Sequence, residues 1–132
     1  MKYTRIPEDE LKELESEFIN FLVVNGITAD DWVSIKENEP VHANEVINQF
    51  SDVVWESILR GTSFLNKVES DVAYYFKCES DEIHLKRILT SEHGMERQQV
   101  SKKYAKTREV EIFEMIQNGC TISDGTDYDT LE

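Results

Sequence analysis

EVINQFSDVVWESIL, residues 45–59, is the stretch on which the fold turns. At about 100° per residue, Val46, Ile47, Phe50, Val53, Val54 and Ile58 fall on one continuous apolar arc roughly 140° wide. Trp55 and Leu59 widen the arc on one side, and Glu45, Gln49, Asp52 and Glu56 hold the opposite face. A surface helix needs an apolar stripe of only about 100°. This helix is therefore predicted to pack on more than one neighbour, the first helix and a sheet. The pattern speaks of packing and carries no chemistry.

Working outward toward the start of the chain, Pro7 stands as a first helical residue, followed by Glu8, Asp9 and Glu10 where the helix dipole is positive. Leu11, Leu14, Phe18, Phe21 and Leu22 recur at helical spacing, and Asn25-Gly26 offers a left-handed exit. The spacing predicts a helix over 7–25. Thr28 and Asp31 have capping-box spacing, with Trp32 and Ile35 behind them and Asn38-Glu39-Pro40 as the stop. The central helix then runs from Val41 to Leu59 and ends at Gly61. Three helices fill the helical part, 7–60, and loops this short favour antiparallel neighbours.

From Thr62 the period changes to two. Residues 63–68, 72–78 and 83–89 are rich in β-branched and aromatic residues and separated by polar turns. Val72, Tyr74, Phe76 and Cys78 alternate with Ala73, Tyr75 and Lys77, and Glu79-Ser80-Asp81-Glu82 forms a hairpin loop. Ser91 to Gly94 is read as loop, and Arg97 to Tyr104 fits a fourth edge strand or an extended connection equally well. Thr107 caps a last helix over 108–118, with Val110, Phe113 and Ile116 on its buried face, before Gly119. Residues 120–122 look extended, and the acidic tail, 124–132, is expected to fray. The predicted fold class is α+β: three N-terminal helices, an antiparallel β-meander of three to four strands in the sheet part, 62–105, and a C-terminal helix. At 132 residues the chain is read as a single domain, 1–132.

Twenty-seven acidic residues against 14 basic ones give a net charge of −13, which repels nucleic-acid phosphates and anionic membranes. The longest apolar run, Phe21 to Val24, falls far below the ~18 residues of a spanning helix, so no membrane association is expected. No targeting signal follows Met1. Cys78 and Cys120 lie far apart without a CxxC pairing, which points to a reducing cytoplasm. The five glycines form neither GxGxxG nor a phosphate-binding loop, and no cofactor is expected.

Two constellations carry candidate chemistry. His42, Glu45, Asp52 and Glu56 line one helical face with Gln49, and a histidine with three carboxylates is a donor set for a metal. Bundle metal sites need ligands that point inward, however, and here the apolar arc claims the interior, so no metal is assigned. The second is basic: Arg97, Lys102, Lys103, Lys106 and Arg108, with Tyr104 among them, run uninterrupted by any acid. Such a segment contacts phosphate and stacks a base, or protects a sheet edge with lysines. Tyr75 is a third feature, marking an interaction surface if its sheet face is uncovered. His42, His84 and His93 show no metal-ligand spacing, and no G-x-S-x-G elbow is present, so no catalytic residue is assigned.

MKYTR and EFINFL near the start, then ITADDW and FSDVVWESIL, then SKKYAK and MIQNGCTISDG resemble a family of small, acidic bacterial proteins classed as a domain of unknown function. The resemblance covers most of the chain and is weakest between Glu79 and Gln99, where this sequence is shorter than the family's usual form. It implies a single-domain cytosolic protein and transfers no functional residue. The expected function is a non-catalytic protein-interaction or regulatory module, acting on a protein partner or as a homodimer. The rival readings are a metal-dependent hydrolase using the acidic stripe and a nucleic-acid-associated protein using Arg97 to Arg108.

Overall fold

Capping chemistry marks one helix start, at Thr28, in the computed structural model, which describes residues 1–131. The Thr28 side chain accepts from the Asp31 N–H at 3.0 Å, and the Asp31 carboxylate accepts from the Thr28 N–H at 3.1 Å. This reciprocal pair starts α3 (Ala29–Asn38) after α1 (Glu8–Glu13) and α2 (Glu15–Val24), and α4 (Pro40–Arg60) follows. At the end of α2, Gly26 takes φ 73°. That lets the Ile27 N–H reach Leu22 O at 2.9 Å and the Gly26 N–H reach Val23 O at 3.0 Å, a Schellman closure. The chain divides into two compact units, Met1–Glu56 and Ser57–Glu132, the boundary falling within α4.

In the first unit, the helix predicted over 7–25 is two helices. Pro7 is the N-cap rather than the first helical residue, and the Leu14 N–H bonds to Leu11 O, three residues back, at 3.1 Å. That tight turn interrupts the regular ladder. Phe18, Phe21 and Phe50 meet around the core, with Phe18 edge-on to Phe50 at 5.0 Å between centroids. The buried side of α4 is rotated from the predicted arc: Ala43, Val46, Phe50 and Ser51 are buried, whereas Val53 is 54% exposed.

The reason lies in the first six residues. Asp52 accepts the backbone N–H groups of Lys2 at 2.8 Å and Tyr3 at 2.9 Å, and the Tyr3 hydroxyl donates to Glu56. The Ser51 hydroxyl accepts the N–H of buried Ile6 at 3.2 Å. A face expected to meet only water instead holds a backbone segment whose polar groups need partners.

The second unit is a five-stranded antiparallel sheet, β1 (Phe64–Val68), β2 (Val72–Cys78), β3 (Glu82–Ser91), β4 (Gly94–Lys103) and β5 (Thr121–Ser123), in the order β4-β3-β2-β1-β5. The first four strands form the predicted meander. The predicted loop at Ser91 to Gly94 is a tight turn at Glu92-His93, and Arg97 to Tyr104 falls largely within a genuine strand. The fifth strand pairs with β1, Leu65 opposite Ile122, a pairing between distant segments that no local pattern announces.

α5 (Arg108–Gln117) buries Ile112 fully. It lies on the face of Leu65, Cys78 and Ile83, as the Lys102–Glu111 approach of 4.0 Å shows. The acidic tail does not fray as expected over its described length. Gly125, buried with φ 93°, sits so close to Phe64 that a Cβ would fall 2.5 Å from the ring, and it opens α6 (Thr126–Thr130). Tyr128 packs on Phe64 at 5.8 Å, and Lys86 lies 4.0 Å from the Tyr128 ring centroid. Lys86 also donates to the carbonyls of Tyr128 and Leu131 at 2.9 and 2.7 Å, satisfying the end of α6. Glu132, the last residue of the predicted tail, lies outside the described residues.

Candidate functional site

The sequence ESEFINFLVV of α2 carries more apolar surface than one helix face can bury. Leu22 goes inward, while Ile19 (51%) and Val23 (68%) stay exposed, one helical turn apart. On α3, Val33 is exposed beside half-buried Trp32. Between these helices runs a groove of two adjoining clefts, of about 430 and 520 Å³, that share Glu15, Phe18, Trp32 and Lys36 as walls. Phe18 and Trp32 meet edge-to-face at 5.1 Å and form its floor, and the Lys36 ammonium lies 5.9 Å from the Trp32 ring. The capping box fixes the start of α3, so Trp32 and Val33 are held on a rigid element. Burial of such a surface against a partner is favourable in proportion to its apolar area.

The four candidate metal ligands have separate surroundings. His42 Nδ1 lies 3.8 Å from Glu39, Asp52 and Glu56 hold the first residues of the chain, and Glu45 is exposed. Among the described residues no three histidine, cysteine or carboxylate groups gather in a metal-binding arrangement.

Most of the basic segment does come together, along the β4–α5 connection, but in the company of acids and carbonyls. Lys106 bonds Glu114 at 2.6 Å, which raises the lysine pKa, and Lys102 approaches Glu111. Lys103 stands opposite Glu82 in the β3–β4 register, and Arg97 stands further along the strand, opposite Ile88. The Tyr104 hydroxyl donates to Glu79 O at 2.8 Å, and burial pushes its pKa up to about 12.

Arg108 turns inward, its side chain only 14% exposed. Its guanidinium donates to Leu59 O at 3.0 Å, to Cys78 O and Glu79 O at 3.1 Å each, and to Thr62 O. A charged donor shared among four carbonyls is a structural clamp. Tyr75, half-buried on β2, shares its face with Asn66 and Lys86, the face on which α6 lies.

One further cluster follows from strand register. His84 and Ser101 are cross-strand partners, so His84 Nδ1 sits 2.6 Å from Ser101 Oγ, and His84 Nε2 sits 3.1 Å from Glu79. The histidine hydrogen bond holds the Glu79 carboxyl below its usual pKa. Neither of the two large clefts reaches this trio. Cys78 and Cys120 are buried free thiols, and burial drives Cys78 up to about 11, which leaves it protonated and unreactive at neutral pH.

Among the described residues no helix is long and apolar enough to cross a membrane. The sequence model of a family of unknown function, DUF6495, matches residues 1–99 and 89–132, two stretches that overlap on the β3–β4 hairpin. No curated protein and no solved structure matches the chain.

Proposed function

The chain belongs to DUF6495, a family of unknown function, and from that premise we propose that it is a non-catalytic protein-interaction module. Its docking surface is the groove between α2 and α3, and its ligand is an amphipathic helical segment of a partner protein with a basic outer face. The observation that carries this reading is the exposure of Ile19, Val23 and Val33 around the Phe18–Trp32 floor. Exposed apolar patches rimmed by polar residues mark interaction sites, and grooves of this kind take the apolar stripe of a helix.

Charge supports the basic outer face. Residues 1–56 hold thirteen acids and four bases, so a cationic helix is steered toward the groove and an acidic one is turned away. The two buried free thiols support a reducing cytoplasmic setting.

Panning the protein against a displayed library of random helical peptides tests the reading. Enriched peptides should repeat apolar residues at i, i+4 and i+7 with Lys or Arg opposite, and should lose binding to Val23→Asp or Val33→Asp. Both positions are exposed, so the fold survives these changes. Absence of enrichment, or binding that ignores both substitutions, would overturn it.

A further inference from the structure

β4 ends the sheet, and it is an unusual edge. Ten consecutive residues pair with β3 without a bulge, from Glu82 opposite Lys103 to Ser91 opposite Gly94. All but Gln98 are exposed, including Met95 (63%) and Val100 (54%). The free side of such a strand presents a row of backbone donors and acceptors that template another strand. Its centre, Gln98-Gln99-Val100-Ser101, carries no charge and no proline to discourage pairing. The opposite edge, β5, is only three residues long.

We propose that β4 pairs antiparallel with β4 of a second copy of this chain, about a two-fold axis through Gln99, joining two sheets into one of ten strands. The register follows from symmetry and charge. An axis that makes a strand antiparallel to its own copy stands normal to the sheet, so it keeps each face and sets opposite one another residues that already share a face.

Centred on Gln99, the pairing places Glu96 opposite the partner's Lys102, twice over, and Val100 opposite the partner's Gln98. Centred on Val100, it places Arg97 opposite the partner's Lys103, like against like. Centred on Gln98, it places Glu96 opposite the partner's Val100 and pairs no charges. Directly opposed unlike charges stabilise a strand pair and like charges oppose it, so one register is selected. The Lys102 side chain is 67% exposed and 4.0 Å from Glu111 in its own chain, within reach of a second carboxylate across the edge.

Sedimentation velocity of the full chain across a concentration series tests the pairing. The wild type should pass from monomer to dimer. Glu96→Lys and Lys102→Glu should each weaken the dimer by about an order of magnitude, and the double swap should restore it, because it rebuilds the same pair with the signs exchanged. Circular dichroism of each variant should match the wild type, since both side chains are on the surface. A chain that stays monomeric at every concentration overturns the proposal and leaves the edge to a strand from another protein. Single variants that dimerise as tightly as the wild type, or a double swap that does not rescue, overturn the register.

Discussion

In residues 1–56, thirteen acids face four bases, and loose backbone is caught by side chains: Asp52 takes the N–H groups of Lys2 and Tyr3, Ser51 that of Ile6, and Asp31 that of Thr28. In residues 57–132, fourteen acids face ten bases, and backbone is satisfied mainly by backbone, along the unbroken ladders of β1 to β4. There the notable side-chain partner is a cation, Arg108, serving four carbonyls. The difference follows from geometry. The irregular segment before α1 has no ladder of its own, so its N–H groups are taken by side chains of α4, whereas a sheet leaves its open hydrogen bonds along an edge. Each unit accordingly offers a different kind of surface, an apolar groove in one and an unpaired strand in the other.

The largest expected effect tests the core of the helical unit. Phe50 is 2% exposed and touches the rings of Phe18 and Phe21. Phe50→Ala should cost about 3–5 kcal/mol through lost burial and the cavity left behind. Amide exchange should rise first in residues 1–56. An equal loss of protection in both units would break the distinction drawn between them.

Next comes the clamp of the sheet unit. Arg108→Ala takes a donor from four carbonyls; Glu79 O keeps the Tyr104 hydroxyl and Leu59 O keeps the Thr62 N–H, which leaves those of Thr62 and Cys78 most affected. At about 1–3 kcal/mol for a buried unsatisfied group, only part of which water can recover, the loss should reach about 3 kcal/mol. Arg108→Lys should rescue little, because one ammonium cannot span the positions of Leu59, Thr62, Cys78 and Glu79. Urea unfolding of the three proteins measures this. A lysine variant as stable as the wild type would mean that charge rather than fork geometry is what matters.

What was legible in the sequence was local. The Thr28–Asp31 box, the glycine exits after α2 and α5 and the whole of β2 depend on residues close in the chain, and each stands as read. β4 was ambiguous because GMERQQVSKK is polar on both faces, so alternation could not distinguish a strand from a connection. β5 and the true burial of α4 depend on partners some fifty residues away, Asn66 with Thr121 and Asp52 with Tyr3. Arg108 read as surface charge because nothing in its neighbourhood shows that carbonyls from two other segments, 59–62 and 78–79, converge on it. The groove did leave a trace: Phe18, Ile19, Phe21, Leu22, Val23 and Val24 nearly encircle α2, more than an ordinary half-buried helix carries.

A smaller effect probes the acidic face of α4. Asp52→Ala should free the first residues of the chain at a cost of about 1.5–3 kcal/mol, the range for hydrogen bonds to a charged group. Limited proteolysis should then cut before Pro7 while α4 stays intact. If the variant is as resistant as the wild type, the bonds made by Glu56 and Ser51 hold the segment without Asp52, and the picture of Asp52 as the main restraint on this backbone fails.

The smallest effect is the most diagnostic, because it has a sign. The hydrogen bonds from the Thr28 backbone N–H and side chain hold the Asp31 carboxyl below its usual value of 3.8. A carboxyl depressed by folding binds its proton at higher pH in the unfolded chain than in the folded one. It therefore adds stability above the unfolded value, and loses it as pH falls through the folded one. Asp31→Asn removes the titration but keeps a side-chain oxygen in place. The stability gap between wild type and Asp31→Asn should hold steady at neutral pH and shrink as pH falls through 3.8 and below. No sheet-unit backbone ladder can respond this way, since peptide groups do not titrate in that range. A gap that persists unchanged into strong acid would show that the box holds α3 by shape rather than by charge, and would draw the two units closer together in how they are held.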